Sequence, residues 1–104
     1  MKADSRVAAL KAVAEYTRRN ADFFVASIPQ ALDLETRTRH IQYIKASADS
    51  FDILADAVSQ GHHSYKEFEQ ILDDLHRYAG FWPESALVSD VARSFEEHKR
   101  ATQD

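Results

Sequence analysis

The sequence of 104 residues contains no cysteine, and this absence excludes two kinds of structure at once. Without thiols, the chain can form neither a disulfide bond nor a thiolate metal site. A chain without cysteine is compatible with a reducing compartment, where disulfide bonds are rare. We therefore expect a cytoplasmic protein.

Long hydrophobic runs are also absent. No stretch approaches the roughly 20 apolar residues that a membrane-spanning helix needs. Near the N-terminus, Asp4, Lys11 and Glu15 interrupt the apolar residues, so the segment lacks the core of a signal peptide. These features predict a soluble chain with no targeting segment and no membrane partner.

Glycine and proline are scarce, with two of each in the whole chain. So few glycines leave no glycine-rich phosphate loop and no Gly-x-Ser-x-Gly turn, and the lack of cysteine removes a further class of nucleophile. Nucleophilic catalysis and anion binding by backbone amides therefore lack their usual parts. We expect that the protein is not an enzyme and that it uses no cofactor.

What the chain does contain is helical periodicity. Its glycines and prolines divide it at three places into four segments in which apolar residues recur at helical spacing. Hydrophobic residues make up 44% of the sequence, which supplies one core for a chain of this size. The sequence predicts a single all-α domain, residues 1–104, folded as a compact antiparallel bundle of about four helices. The predicted helices cover about 4–28, 33–59, 64–79 and 83–101.

Cap residues give the predicted helix ends. Asp33 is placed to cap the second helix, and Ser64 begins a capping box for the third. Gly61 and Gly80 stand where a helix ends in a left-handed residue. Pro83 is expected at the first position of the fourth helix, where a missing amide hydrogen costs nothing.

The second segment has the most regular pattern. Its apolar residues repeat every seven positions, at Leu34, Ile41, Ala48 and Ala55, with bulkier residues such as Phe51 between them. A seam of this kind packs against a helix of the same chain or against a second copy. The pattern therefore leaves a homodimer open.

The charge is divided unequally along the chain. Residues 1–48 carry eight basic and five acidic side chains, whereas residues 49–104 carry five basic and twelve acidic ones. The two halves can attract each other within the fold, or the acidic half can guide a basic partner protein to its surface. Nucleic acid is not expected as the main partner, because the acidic half would repel phosphate.

The stretch AGFWPES, residues 79–85, contains the only tryptophan. After the glycine, Phe81 is expected to fold back onto Leu75 or Tyr78. Trp82 either shields the end of the bundle or anchors a partner, since tryptophan is enriched among residues that dominate binding energy. The candidate partner-binding residues are Phe81, Trp82, Glu84, Asp73, Asp74 and Asp90.

Two short patterns suggest chemistry. Asp73 and His76 have the spacing of a metal-binding pair, but metal sites in bundles use such a pair on two helices, so no metal site is predicted. Arg93 and His98 have the Arg-x4-His spacing, with Ser94 after the arginine, and resemble the motif of the HEPN family of helical ribonucleases. Together these patterns give an enzyme, metal-dependent or RNA-cleaving, as a third hypothesis.

One longer stretch, DLETRTRHIQYIKASADSF at residues 33–51, resembles the central helix of histidine-containing phosphotransfer domains, which are small helical bundles. In that family a phospho-accepting histidine is followed three residues later by lysine and then by glycine. Lys45 takes the lysine position, whereas Gln42 stands at the histidine and Ala46 at the glycine. The resemblance implies a degenerate signalling adaptor that binds its partners without carrying phosphate.

Two classes of function are therefore favoured. The first is a non-catalytic protein-binding module that binds and inhibits or neutralises another protein, as immunity proteins, antitoxins and phage-encoded inhibitors do. The second is the degenerate phosphotransfer-like adaptor. The first agrees better with the acidic second half and with the lack of catalytic parts.

Overall fold

A computed structural model describes residues 4–26, 33–62, 65–80 and 82–103. These residues form four helices and no strand, so the predicted all-α bundle is confirmed. None of the described helices has the length and apolar character needed to cross a membrane. The helices are α1 (Ser5–Ala26), α2 (Leu34–Ser59), α3 (Tyr65–Ala79) and α4 (Ser85–Gln103).

The helices are arranged around a hairpin of α1 and α2. Helix α3 packs along α2, and α4 packs along α1. Their apolar faces meet in one core, in which Phe51 and Phe68 lie with ring centres 5.7 Å apart. The fully enclosed members of this core come from all four helices and include Leu10, Val13, Phe51, Val58, Phe68, Leu75 and Val91.

The hairpin is longer than the two helices that cover it. With a rise of about 1.5 Å per residue, the 26 residues of α2 extend roughly 39 Å, whereas the 15 residues of α3 extend roughly 22 Å. The predicted seam of α2 is accordingly buried from Ile44 to Val58, but none of residues 34–43 is buried. Leu34, the first residue of the predicted seam, is 78% exposed. The molecule is elongated as a result, at 54 × 20 × 19 Å.

Several predicted caps are present. The Asp33 side chain accepts a hydrogen bond from the amide of Thr36 at 3.0 Å, and Gly61 and Gly80 have φ angles of 85° and 63°. Such positive angles favour glycine because a side chain would clash with the backbone. The predicted role of Ser64, and the end of the first helix near Pro29, lie outside the described residues.

The predicted start of the fourth helix was two residues too early. The carbonyl of Glu84 accepts hydrogen bonds from the amides of Leu87 and Val88, at 3.0 and 3.2 Å, so Glu84 is the N-cap and Ser85 is the first helical residue. Pro83 lies outside the helix and is buried. It occupies the position before the N-cap, from which an apolar side chain commonly packs against the first turn.

The start of α1 is held by a buried cation. Arg6 is 3% exposed, and its guanidinium donates to the Asp4 carboxylate at 2.6 and 3.1 Å. The same carboxylate accepts a hydrogen bond from the Arg6 amide at 2.9 Å, which makes Asp4 the N-cap of α1. The Arg6 guanidinium carbon also lies 5.7 Å from the centre of the Phe95 ring, which joins α1 to α4.

The first prediction concerns the buried core. We expect Phe51→Ala and Leu72→Ala each to lower the free energy of unfolding by ~2–5 kcal/mol, because both remove buried apolar volume and leave a cavity. Ile53→Ala is the matched control on α2, since Ile53 is 67% exposed. Urea unfolding of the three variants gives the comparison. If Phe51→Ala unfolds at the same urea concentration as the control, the core assignment is wrong.

Acid should weaken the start of α1. The hydrogen bond from the Arg6 side chain lowers the pKa of Asp4, so the ionised carboxylate is favoured by folding. A carboxyl group whose pKa is lower in the folded state stabilises the fold at pH values above its unfolded pKa of about 4. This stabilisation is lost as the pH falls through the pKa of the folded state. We expect Asp4→Ala to lower the free energy of unfolding by about 1 kcal/mol at neutral pH. The difference in free energy of unfolding between the variant and the wild type, measured by urea unfolding, should shrink below about pH 4. A difference that stays constant across that range would contradict the role of Asp4.

Candidate functional site

The single tryptophan lies on the turn between α3 and α4. Its indole is 49% exposed, and the ring centre lies 4.6 Å from the centre of the His76 imidazole. The two rings are inclined by 38°. Gly80, with its positive φ, reverses the chain between them and brings Trp82 back to the last turns of α3. Trp82 is therefore covered by His76 on one side, and about half of the residue is exposed.

This environment agrees with either role that the sequence suggested for Trp82, shielding the end of the bundle or anchoring a partner. The ring contacts His76 of the neighbouring helix, and about half of the residue is exposed to solvent. The side chain of Phe81, and with it the predicted contact to Leu75 or Tyr78, lies outside the described residues. The sequence offered no direct signal for His76 as the partner of Trp82, since the contact depends on how the turn folds.

The two predicted acids of α3 diverge around the helix. At 100° per residue, Asp73 lies about 60° from His76, on the same face, whereas Asp74 lies about 160° away. Asp74 accepts a hydrogen bond from the Gln70 amide group at 3.0 Å. Both carboxylates belong to the predicted set, but Asp73 alone shares the His76 and Trp82 face of α3.

The two predicted acids of the last segment also differ. Glu84 is exposed, two residues after Trp82, and its position at the start of α4 favours a negative charge because the helix dipole is positive there. It borders a groove of about 260 Å³ between α4 and α1, which Arg19 and Tyr16 also line. Asp90 is exposed but pairs with Arg93 at 2.9 Å. Among the described residues, neither Asp73 nor Glu84 forms an ion pair.

The patterns that suggested enzyme chemistry have other partners. No group of three or more histidine and carboxylate side chains among the described residues could hold a metal ion. His76 stacks on Trp82, and Arg93 is paired with Asp90. The hydroxyl of Ser94 is buried and donates to the carbonyl of Val91 at 2.7 Å.

The positions that resemble a phosphotransfer site lie on α2. Gln42, Lys45 and Ala46 are all exposed, and a concavity of about 210 Å³ is lined by Arg39, Gln42, Tyr43 and Ala46. His40 lies about 160° around the helix from Gln42, so it faces a different side.

A second stripe on α2, mostly of apolar residues, was not predicted from the sequence. It consists of residues spaced three and four apart on the side of the helix that turns away from the core. Its residues have the same heptad spacing as the buried seam, but they lie on a different side of the helix. The stripe comprises Tyr43, Ala46, Ser50, Ile53 and Ala57.

Comparison with known proteins finds no family model, no curated protein and no solved structure that matches this chain. Two features of the described surface are suited to binding another molecule. They are the Trp82 turn and the second stripe of α2, called the outward stripe because it faces away from the core.

The geometry of Trp82 gives a testable expectation. Because His76 covers one side of the indole, His76→Ala should increase the quenching of Trp82 fluorescence by iodide. The melting temperature should change little, since His76 is exposed. Asp73→Ala is the matched control on the same face of α3 and should leave the apolar cover of the indole in place. Equal quenching in wild type and His76→Ala would show that the ring stack does not persist in solution.

Proposed function

We propose that this protein is a non-catalytic binding module that docks onto another protein and inhibits or neutralises it, with the turn between α3 and α4 as the contact. The observation that carries the proposal is the half-exposed indole of Trp82, held on His76 with ring centres 4.6 Å apart. A large aromatic ring in a fixed position can enter a pocket of a partner at little cost in side-chain entropy.

The charges around this turn favour a basic partner. Asp73 shares the face of α3 on which Trp82 stacks, and Glu84 follows Trp82 by two residues. Because neither acid is paired with a cation among the described residues, both are available to a cation on the partner. Such charges at the edge of an interface mainly raise the rate of association and reject partners of like charge.

The acidic half of the chain supports the same proposal. Residues 49–104 carry twelve acidic and five basic side chains. Within α4, Arg93 and Arg100 are engaged by acids of the same helix, Asp90 at 2.9 Å and Glu96 at 3.8 Å. Since these pairs are local and exposed, they leave the net negative charge of the surface in place.

The test begins with capture of the partner from cells that make the protein, followed by measurement with the purified pair. We expect Trp82→Ala to weaken binding by at least about 30-fold, the equivalent of a hot-spot loss of ~2 kcal/mol, and to retain the helical fold. Ile53→Ala is the control, because Ile53 is 67% exposed and lines a groove with Glu67, which lies about 180° around α3 from His76. Glu84→Lys should slow association, most strongly at low salt.

Inhibition is measured separately, as loss of the partner's own activity when the purified chain is added. If Trp82→Ala reduces affinity only as far as it reduces the folded fraction, Trp82 closes the bundle end and the proposed contact is wrong. Capture of a receiver domain or a histidine kinase would instead favour the phosphotransfer-like adaptor, with its contact at Gln42 and Lys45.

A further inference from the structure

Helix α2 carries two seams at heptad spacing, and only one of them faces the core. The second is the outward stripe. At 100° per residue its five residues fall within about 80° of one another, centred roughly 120° from Phe51. Ile53 is 67% exposed and Tyr43 is 38% exposed, so Ile53 is the most accessible large side chain of the stripe and Tyr43 is partly accessible. The smaller members lie between and beyond them, at Ala46, Ser50 and Ala57.

Two shallow concavities lie along the stripe. One concavity, of about 210 Å³, follows Tyr43 and Ala46. A second, of about 340 Å³, follows Ser50, Ile53 and Ala57 and has α3 as its wall. The Ser50 hydroxyl donates to the Ala46 carbonyl at 3.0 Å, so close packing against it would leave no donor unsatisfied.

The order of large and small residues is self-complementary. Tyr43 lies seven residues before Ser50 and Ala57 lies seven residues after it. Two copies of α2 that cross antiparallel at Ser50 therefore place Tyr43 of each copy opposite Ala57 of the other. In the same arrangement Ala46 lies within one residue, about 1.5 Å along the axis, of the position opposite Ile53, so a small residue again adjoins a large one. We propose that the outward stripe is a two-fold interface through which the protein pairs with a second copy of itself.

Charge selects the same arrangement. Lys45, Asp49, Asp52 and Asp56 follow one another along the edge of the stripe that faces α1. An antiparallel crossing at Ser50 brings Lys45 of each copy opposite Asp56 of the other, which gives two symmetric ion pairs. In a parallel pair about a two-fold axis, this edge of one copy would instead face the other edge of the stripe on its partner, and these ion pairs would not form.

The acids at the centre of the edge are already compensated. The Arg18 guanidinium of α1 lies 3.2 Å from Asp49 and 2.7 Å from Asp52. Where these two acids approach the same acids of the second copy, an arginine from each copy is therefore present. This compensation reduces the repulsion that would otherwise oppose the crossing.

The contact covers about two heptads, which is short for a permanent interface. Stable dimers commonly bury roughly 800 Å² of surface on each partner, and a single pair of helices of this length supplies less. We therefore expect a dimer that dissociates on dilution. The interface is independent of the proposed function, because the Trp82 turn lies on the other side of α3.

Sedimentation over a range of concentrations tests the pairing. The wild-type chain should shift from monomer to dimer as the concentration rises. Ile53→Asp places a charge in the centre of the stripe and should remove the dimer at concentrations where the wild type forms it. Leu34→Asp is the control, because Leu34 is 78% exposed on the same helix but lies off the stripe. A wild-type chain that remains monomeric overturns the proposal and leaves the stripe to a helix of another protein.

Charge reversal tests the antiparallel register. Lys45→Glu and Asp56→Lys should each weaken self-association, because each variant alone opposes like charges twice. A mixture of the two variants should form a mixed dimer, in which both pairs regain opposite charges. The double variant Lys45→Glu/Asp56→Lys should also pair with itself. If the mixture stays monomeric while the wild type dimerises, the antiparallel crossing at Ser50 is wrong.

Discussion

The burial of Phe51 is the constraint on which the rest of the bundle depends. Its ring is fully enclosed on α2 and lies 5.7 Å from that of Phe68 on α3. Leu10 of α1 and Val91 of α4 belong to the same core, so one cluster joins all four helices. Aromatic side chains bury more apolar surface than any others, and a chain of this size has room for few of them in its centre. The position of Phe51 thereby fixes which face of α2 is covered.

Much of this architecture was predictable because it is encoded locally. The heptad repeat of α2 identified the face that is buried from Ile44 to Val58, and Asp33 identified where the helix begins. The start of α4 was predicted less well. Proline is suited to a first helical position, but the preference says nothing of which carbonyl accepts the first hydrogen bond, and here Glu84 does so. Pro83 is buried before the helix instead.

The candidate sites were harder to predict for a different reason. The contact between Trp82 and His76 links two segments across a glycine turn, and no spacing rule gives the result of that turn. Asp73 and Asp74 are neighbours in sequence but lie about 100° apart around α3, so counting both acids overstates the negative charge on the face of His76. The outward stripe was visible as spacing, yet its exposure follows from the fact that α1 and α3 already cover the other seam of α2.

The uncovered half of the hairpin has a consequence for how the molecule opens. Residues 34–43 contribute no buried side chain, so the hydrogen bonds of the first turns of α2 can break while the cluster around Phe51 stays intact. Stability is then graded along a single helix: backbone amides near Leu34 exchange with solvent through small local openings, and those near Phe51 exchange when the whole bundle unfolds. One continuous helix thus belongs to two cooperative units.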